Sequence, residues 1–310
     1  MERVISKSSG RVCLLGDKND LLNRPVIAAS ISKFFEFEIT KSTSSCLKFS
    51  FPQENISFSR DFHENKSDDF FKFLSQISWR LKNRIAPVEV KIFGDLPIGC
   101  GLSSSAACSV GYLRGLSKMF HLGLDVKEIA EIAYQVERND LGIMCGRMDQ
   151  YSIAYSGVTY IETGDSTSVT NLPINSIPLV IGNSNEPRKA KMVLNKTMEK
   201  LMAKDPLFMD CFESINDGVL RGITAIRHND MKLLGKLMNK HQAAEKAMGA
   251  STPKLDRMCK AALDAGALGA KQVGAGGGGC MIALCPKETD KIMKALLDAG
   301  GIAWKADLAL

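Results

Sequence analysis

The sequence predicts an α+β fold in two domains. A chain of 310 residues suits one large domain or two medium ones. Both halves mix strand-like with helix-like segments. Around residues 165–177 the polar, turn-rich run GDSTSVTNLPINS separates them. The expected division is therefore 1–165 and 166–310.

Residues 1–60 read as strands and turns. VCLLG (12–16) is an apolar run closed by Gly16 and followed by the polar turn DKND (17–20). PVIAASI (25–31) and FFEFEIT (34–40) are rich in β-branched and aromatic residues, as strands are. Over 68–84, Phe70, Phe73, Leu74, Ile77 and Leu81 recur at helical spacing, with acidic residues at the start and basic ones at the end. VEVKIFG (88–94) alternates like a strand. Helices are expected over 106–120 and about 126–138. A strand pair with its turn at Ser156–Gly157 is expected over 153–163. The second half opens with a strand (177–182) and continues with several helices between about 190 and 265. It closes with a glycine loop and strand (266–285) and a helix over about 288–299. The sequence contains no internal repeat.

Composition narrows the function classes. Hydrophobic residues make up 45% and charged residues 24%, an ordinary globular balance. The net charge of +6 is a modest excess that could attract an anionic substrate. No dense basic run interleaves with aromatics, so no nucleic-acid partner is expected. No run approaches the roughly 20 apolar residues of a membrane span, and the N-terminus lacks a signal-peptide core. Nine cysteines without a C-x-x-C pair read as reduced core thiols. Together these point to a cytoplasmic protein with no membrane partner.

Two glycine loops carry the chemistry. PIGCGLSSSAA (97–107) stands between a strand and a helix. Gly99 and Gly101 permit close backbone approach, and Ser103, Ser104 and Ser105 place hydroxyls at a helix start, where N–H groups and the helix dipole favour a phosphate. A glycine turn with a serine cap is the plainer reading of the same residues. No lysine follows, so this is not a Walker loop. Gly274, Gly276 and Gly279 fit G-x-G-x-x-G by count, but the strand-like CMIALC follows where a dinucleotide site needs a helix. This second loop reads as a backbone surface pressed against substrate or phosphate through Gly276 and Gly277, or as a tight hairpin bend.

These residues resemble the GHMP small-molecule kinases, the superfamily of galactokinase, homoserine kinase, mevalonate kinase and phosphomevalonate kinase. SGRVCLLGDKND (9–20), PIGCGLSSSAA (97–107) and VGAGGGGCMIAL (273–284) look like its three motifs in order. The resemblance implies an N-terminal domain like ribosomal protein S5 domain 2 and a C-terminal ferredoxin-like domain. It implies ATP with Mg2+, and transfer of the γ-phosphoryl group to a small-molecule acceptor. The loop residues Pro97, Gly99, Gly101, Leu102, Ser103, Ser104, Ser105 and Ala106 would hold ATP. Asp149, in CGRMDQ (145–150), looks like the catalytic aspartate of galactokinase, and Arg11 matches the basic residue of the first motif. Glu137, twelve residues before Asp149, and Ser105 stand where similar kinases bind magnesium. A helix N-cap, a surface arginine and a solvated helix-end charge are the ordinary alternatives for Asp149, Arg11 and Glu137. A homodimer is also expected.

The acceptor is divided by the same resemblance. CGRMDQ and Arg11 look like sugar kinases, while 237–280 looks most like archaeal mevalonate kinases. Asp17 stands where an acidic residue is usual, Lys18 replaces the usual histidine, and Asp20 matches a sugar-contacting aspartate. Lys18 and Arg147 place positive charge at presumed substrate positions and suggest an anionic acceptor, unless both point to solvent or ATP. A sugar or sugar acid is the leading expectation, with mevalonate or phosphomevalonate next. A binding protein that has lost catalysis is the third.

Overall fold

The computed structural model describes residues 2–64, 70–164 and 166–309. In chain order the strands and helices are β1 (Arg3–Leu15), β2 (Val26–Lys41), β3 (Cys46–Phe51), β4 (Ile56–Asp61), α1 (Lys72–Arg80), β5 (Val88–Gly94), α2 (Ser104–Met119), α3 (Val126–Gln135), α4 (Met148–Tyr155), β6 (Val158–Glu162) and β7 (Ser168–Asn171). Then follow β8 (Leu179–Asn183), α5 (Ala190–Met202), α6 (Pro206–Arg227), α7 (Met231–Ala247), α8 (Pro253–Asp264), β9 (Gly269–Gln272), β10 (Cys280–Leu284), α9 (Thr289–Asp298) and β11 (Ile302–Ala306). The α+β class expected of the sequence is the one the chain adopts. The described residues form two compact units, one of 1–10, 33–96 and 104–155, the other of 11–32, 97–103 and 156–310.

In the first unit, β3 pairs antiparallel with β4 and parallel with β5, and β5 pairs antiparallel with the Phe35–Lys41 stretch of β2. Strand alternation sends Phe35, Phe37, Ile39 and Phe49 inward. There Phe49 meets the rings of Phe71 and Tyr112, and Tyr112 shares a 2.7 Å hydrogen bond with Ser78 of α1. A buried phenol needs such a partner. α3 begins with a capping box: Glu128 N–H donates to Asp125, and Asp125 N–H donates to Glu128, both at 2.8 Å.

The strand expected over 153–156 is instead the end of α4. Ile153 and the tyrosines suit either state in a short apolar run. The helix is completed by Arg114 of α2, whose Nη2 donates to the carbonyls of Ile153 (3.2 Å) and Ala154 (2.7 Å). These are two of the acceptors a helix end leaves unsatisfied. Ser156 (φ +60°) and Gly157 (φ +70°) then turn the chain into β6. The helix expected from 68 to 84 is observed as α1, and its first two positions lie outside the described residues.

In the second unit, β11, β8, β10 and β9 form an antiparallel sheet in that order. β10 is central and buried throughout, so it reads CMIAL without polar alternation. α8 and α9 cover the sheet with Leu255, Met258, Ile292 and Leu296 packed on Val180, Met281 and Ala283. Along β9, Ala270 joins that cluster while Lys271 turns to the opposite side. Among the described residues no helix is long and apolar enough to cross a membrane.

Candidate active site

The phosphate-like loop is shaped by three residues with left-handed backbone, Gly99 (φ +72°), Gly101 (φ +102°) and Ser103 (φ +60°). Within the second unit its carbonyls are tied one after another. Cys280 N–H donates to Cys100 at 2.9 Å, Arg11 Nη1 donates to Gly101 at 2.8 Å, and Arg11 N–H donates to Leu102 at 3.1 Å. Turning successive carbonyls toward the protein gives the loop the polarity an anion on its other face requires. The two glycines have different roles. A Cβ on Gly101 would stand 3.1 Å from the Val273 carbonyl, so that position serves packing. A Cβ on Gly99 would meet nothing within 4 Å, so that position lies open. Leu102 is fully buried, Ser103 nearly so, and Pro97 half-buried.

The second glycine loop is largely packed against its own unit. A Cβ on Gly276 would lie 2.3 Å from the Ala250 carbonyl. Gly277 N–H donates to that carbonyl at 2.8 Å, and Gly277 O accepts from Lys189 N–H at 2.9 Å. The expected approach of Gly276 and Gly277 to a substrate is therefore replaced, for these groups, by backbone packing. Arg188, which the sequence did not single out, lies along both loops. Its guanidinium carbon is 3.6 Å from the Cβ position of Gly101, and Nη2 is 3.3 Å from that of Gly274. Its only sequence signal is a cation in a polar turn after a strand.

The first motif is anchored by a buried charge network in the second unit. β1 ends before Gly16 (φ +99°), and Asp17 accepts the Gly274 N–H at 2.6 Å. Lys271 Nζ bonds to Asp17 and also donates to the Cys13 carbonyl at 3.0 Å. Lys18 Nζ donates to both oxygens of Glu245 at 2.6 Å, and its side chain is 2% exposed. Gln272 Nε2 donates to Glu245 at 3.1 Å, and His241 Nε2 lies 3.4 Å from it. Burial would raise the Asp17 carboxyl, but Lys271, His241 and Lys18 outweigh it and hold it below its usual value. Glu245 is lowered in the same way, burial being outweighed by Lys18 and His241. The premise that Lys18 lacks a partner is thus wrong: Glu245, 227 positions later, neutralises it. Asp20, in the short 3-10 turn Asn19–Leu22, is half-buried.

In the first unit, Ser104 opens α2, Ala106 is buried in its first turn, and Ser105 Oγ donates to Glu137 Oε1 at 3.3 Å. Glu137 stands on a π-helical turn, Val136–Asp140, that continues α3. Such widened turns recur at functional sites. Gln150 Nε2 donates to Glu137 Oε2 at 2.8 Å, while the Gln150 side-chain oxygen is buried with no hydrogen bond among the described residues. Asp149, half-buried in the first turn of α4, is close enough to act on Glu137. Burial, with the Asp149 carboxylate next, drives the Glu137 carboxyl up. Gln150, Ser105 and Lys72 recover only part, and it stands at about 7. A buried carboxylate with a second one beside it and a serine hydroxyl are oxygen donors of the kind a hard cation takes.

Arg147 is also paired internally. Its Nε and Nη2 donate to Glu131 at 3.1 and 3.2 Å, and its guanidinium lies 4.1 Å from the centre of the Tyr134 ring. The expectation that Lys18 and Arg147 are unspent charges awaiting an anionic acceptor loses its basis at both positions. The partner carboxylates lie far away in sequence or on another helix, where no local pattern reveals them.

Two family descriptions match the chain: "GHMP kinases N terminal domain" over residues 70–157 and "GHMP kinases C terminal" over 223–304, together more than half of it. The mevalonate kinase of Pyrococcus furiosus is 29% identical over 96% of this chain and 94% of its own length. The galactokinase of the same organism is 26% identical over 99% and 96%. The crystal structure of the Methanococcus jannaschii mevalonate kinase superposes with a TM-score of 0.85 at 22% identity, covering 100% of this chain and 99% of that one, and so shares the fold. Relatives of both names are small-molecule phosphotransferases, and the non-catalytic reading falls away. By these matches, which agree with the motifs and the fold, the chain is a small-molecule kinase and belongs to the GHMP kinases.

Proposed function

We propose that this kinase transfers the γ-phosphoryl group of ATP to a hydroxyl of a sugar. The observation that carries the acceptor class is the internal pairing of Lys18 with Glu245 and of Arg147 with Glu131. Lys18 and Arg147 are then not held out for an anionic acceptor, and in the first unit Asp149 brings a carboxylate, which suits a hydroxyl donor. Asp149 takes or orients the acceptor hydroxyl's proton. The 97–105 loop binds the phosphates, Arg11 fixes the loop's curvature, and Arg188 supplies positive charge beside it. Ser105 and Glu137 would hold Mg2+, which would offset charge on the ATP phosphates. Few protein ligands are needed for a magnesium ion that arrives with nucleotide.

A second reading, mevalonate as acceptor, is favoured by the names of relatives 28–29% identical to the chain. ADP release with Mg2+ and galactose, glucuronate, R-mevalonate or phosphomevalonate separates the two. Fastest turnover with a sugar supports the proposal. Fastest turnover with mevalonate or its phosphate replaces it with the second reading.

A further inference from the structure

We propose that Glu131 of α3 is the positioning residue for Asp149, holding the chain on either side of that carboxylate. The inference rests on the reading of Asp149 as the group that meets the acceptor hydroxyl. It concerns the first unit alone. α4 has only eight residues, and Asp149 is its second. A helix so short does not hold itself together in water, and its first turn leaves N–H groups unsatisfied. The direction of the Asp149 side chain therefore depends on what pins that turn.

Glu131 pins it twice. Arg147, just before the helix, places Nε on Glu131 Oε2 and Nη2 on Oε1. Tyr151 donates its hydroxyl to Glu131 Oε2 at 2.7 Å. The Tyr151 N–H bonds to the Arg147 carbonyl at 3.2 Å, so residues 147 and 151 stand one helical turn apart and share a face. Asp149, two residues from each, projects about 200° away. A grip on one face thus aims Asp149 from the other. Gln135 Nε2 donates to Glu131 Oε1 at 2.7 Å and steadies the carboxylate on its own helix. Burial would raise the Glu131 carboxyl, but the bonds from Arg147, Gln135 and Tyr151 prevail and keep it ionised.

The cluster is too exposed to add much stability, with Glu131 and Arg147 side chains 33% and 19% accessible. Its contribution is geometric. A two-point fork and a third donor fix the plane of one carboxylate, and two of those donors bracket the reacting residue. The sequence suggested Arg147 for the acceptor. The geometry assigns it, with Tyr151, to Glu131.

The test compares Glu131→Ala and Glu131→Gln, each made in the wild-type protein and in the Asp149→Asn protein, using whichever compound of the four-member panel the wild type turns over fastest. A misplacement of about 1 Å costs on the order of 100-fold in rate, so Glu131→Ala should lower kcat roughly tenfold to a hundredfold. KM for ATP and acceptor should change less than about threefold, and Tm by a few degrees. Glu131→Gln keeps an acceptor oxygen for Tyr151 and should recover part of kcat. In the Asp149→Asn protein, Glu131→Ala should cost almost nothing further. Equal losses in both backgrounds overturn the inference, as does a drop in Tm with kcat per folded molecule unchanged. If Asp149→Asn itself retains wild-type kcat, the assignment of Asp149 fails and takes the clamp with it. If Asp149→Asn is slow but Glu131→Ala is not, only the clamp fails.

Discussion

Each unit of this kinase holds a pair of carboxylates, and the two pairs differ in their company. In the second unit, Asp17 and Glu245 face Lys271 and Lys18, two cations for two anions, and both carboxyls are held below their usual values. In the first unit, Glu137 is buried beside Asp149, and its neighbours leave it at about 7. A balanced buried network fixes structure, here the approach of the first motif to Gly274. At Glu137 burial and the neighbouring carboxylate prevail instead, and the charged form is disfavoured. The same residue type thus carries two meanings, and the local charge balance tells them apart.

Breaking the balanced side should cost most in stability. Lys18→Met leaves Glu245 buried without its lysine, and removing one partner of a buried pair costs roughly 3–5 kcal/mol. Urea unfolding should show that loss, while the acceptor KM of the folded fraction stays near wild type. An acceptor KM raised tenfold with stability intact would return Lys18 to the substrate.

Glu137 should respond in the opposite direction. Glu137→Gln removes a strained charge and keeps the shape, so at pH 8 the nucleotide-free protein should gain roughly 1–3 kcal/mol. Its turnover should fall and need more Mg2+ for half-maximal rate. Calorimetric melting and a magnesium titration of ADP release check the two halves of this prediction. A variant less stable than wild type would mean that Glu137 is already balanced.

The sequence made some of this visible and concealed the rest for identifiable reasons. The order α8, glycine loop, β10, α9 is legible because helical periodicity, a glycine loop and a continuous apolar run succeed one another, whereas the four-residue β9 before the loop carries no strand pattern of its own. The end of α4 is not legible because an apolar run of a few residues does not distinguish strand from helix, and the deciding bonds come from Arg114. In the site, Ser105, Glu137 and Asp149 could be nominated from motif and spacing, and the structure brings these three together. Gln150 lies in the CGRMDQ run, but nothing in its type announces the bond to Glu137. The partners Glu245 and Glu131 were hidden because each occupies one turn of a helix that reads as an ordinary amphipathic segment. A cation in sequence has no visible counter-ion, so neither the Lys18–Glu245 nor the Arg147–Glu131 pairing is legible there. Lys271 is hidden in the same way, in the short strand GAKQ beside the polar Gln272, both of them buried.

The most direct test of the central claim is a comparison of wild type and Asp149→Asn by two measurements, affinity for a non-hydrolysable ATP analogue and kcat with the preferred acceptor. Asparagine keeps the shape of aspartate and removes its proton-accepting charge. The analogue should bind both proteins within about threefold, and kcat should fall roughly 100-fold or more, the usual scale for general acid–base catalysis. Wild-type kcat in the asparagine variant would contradict the account.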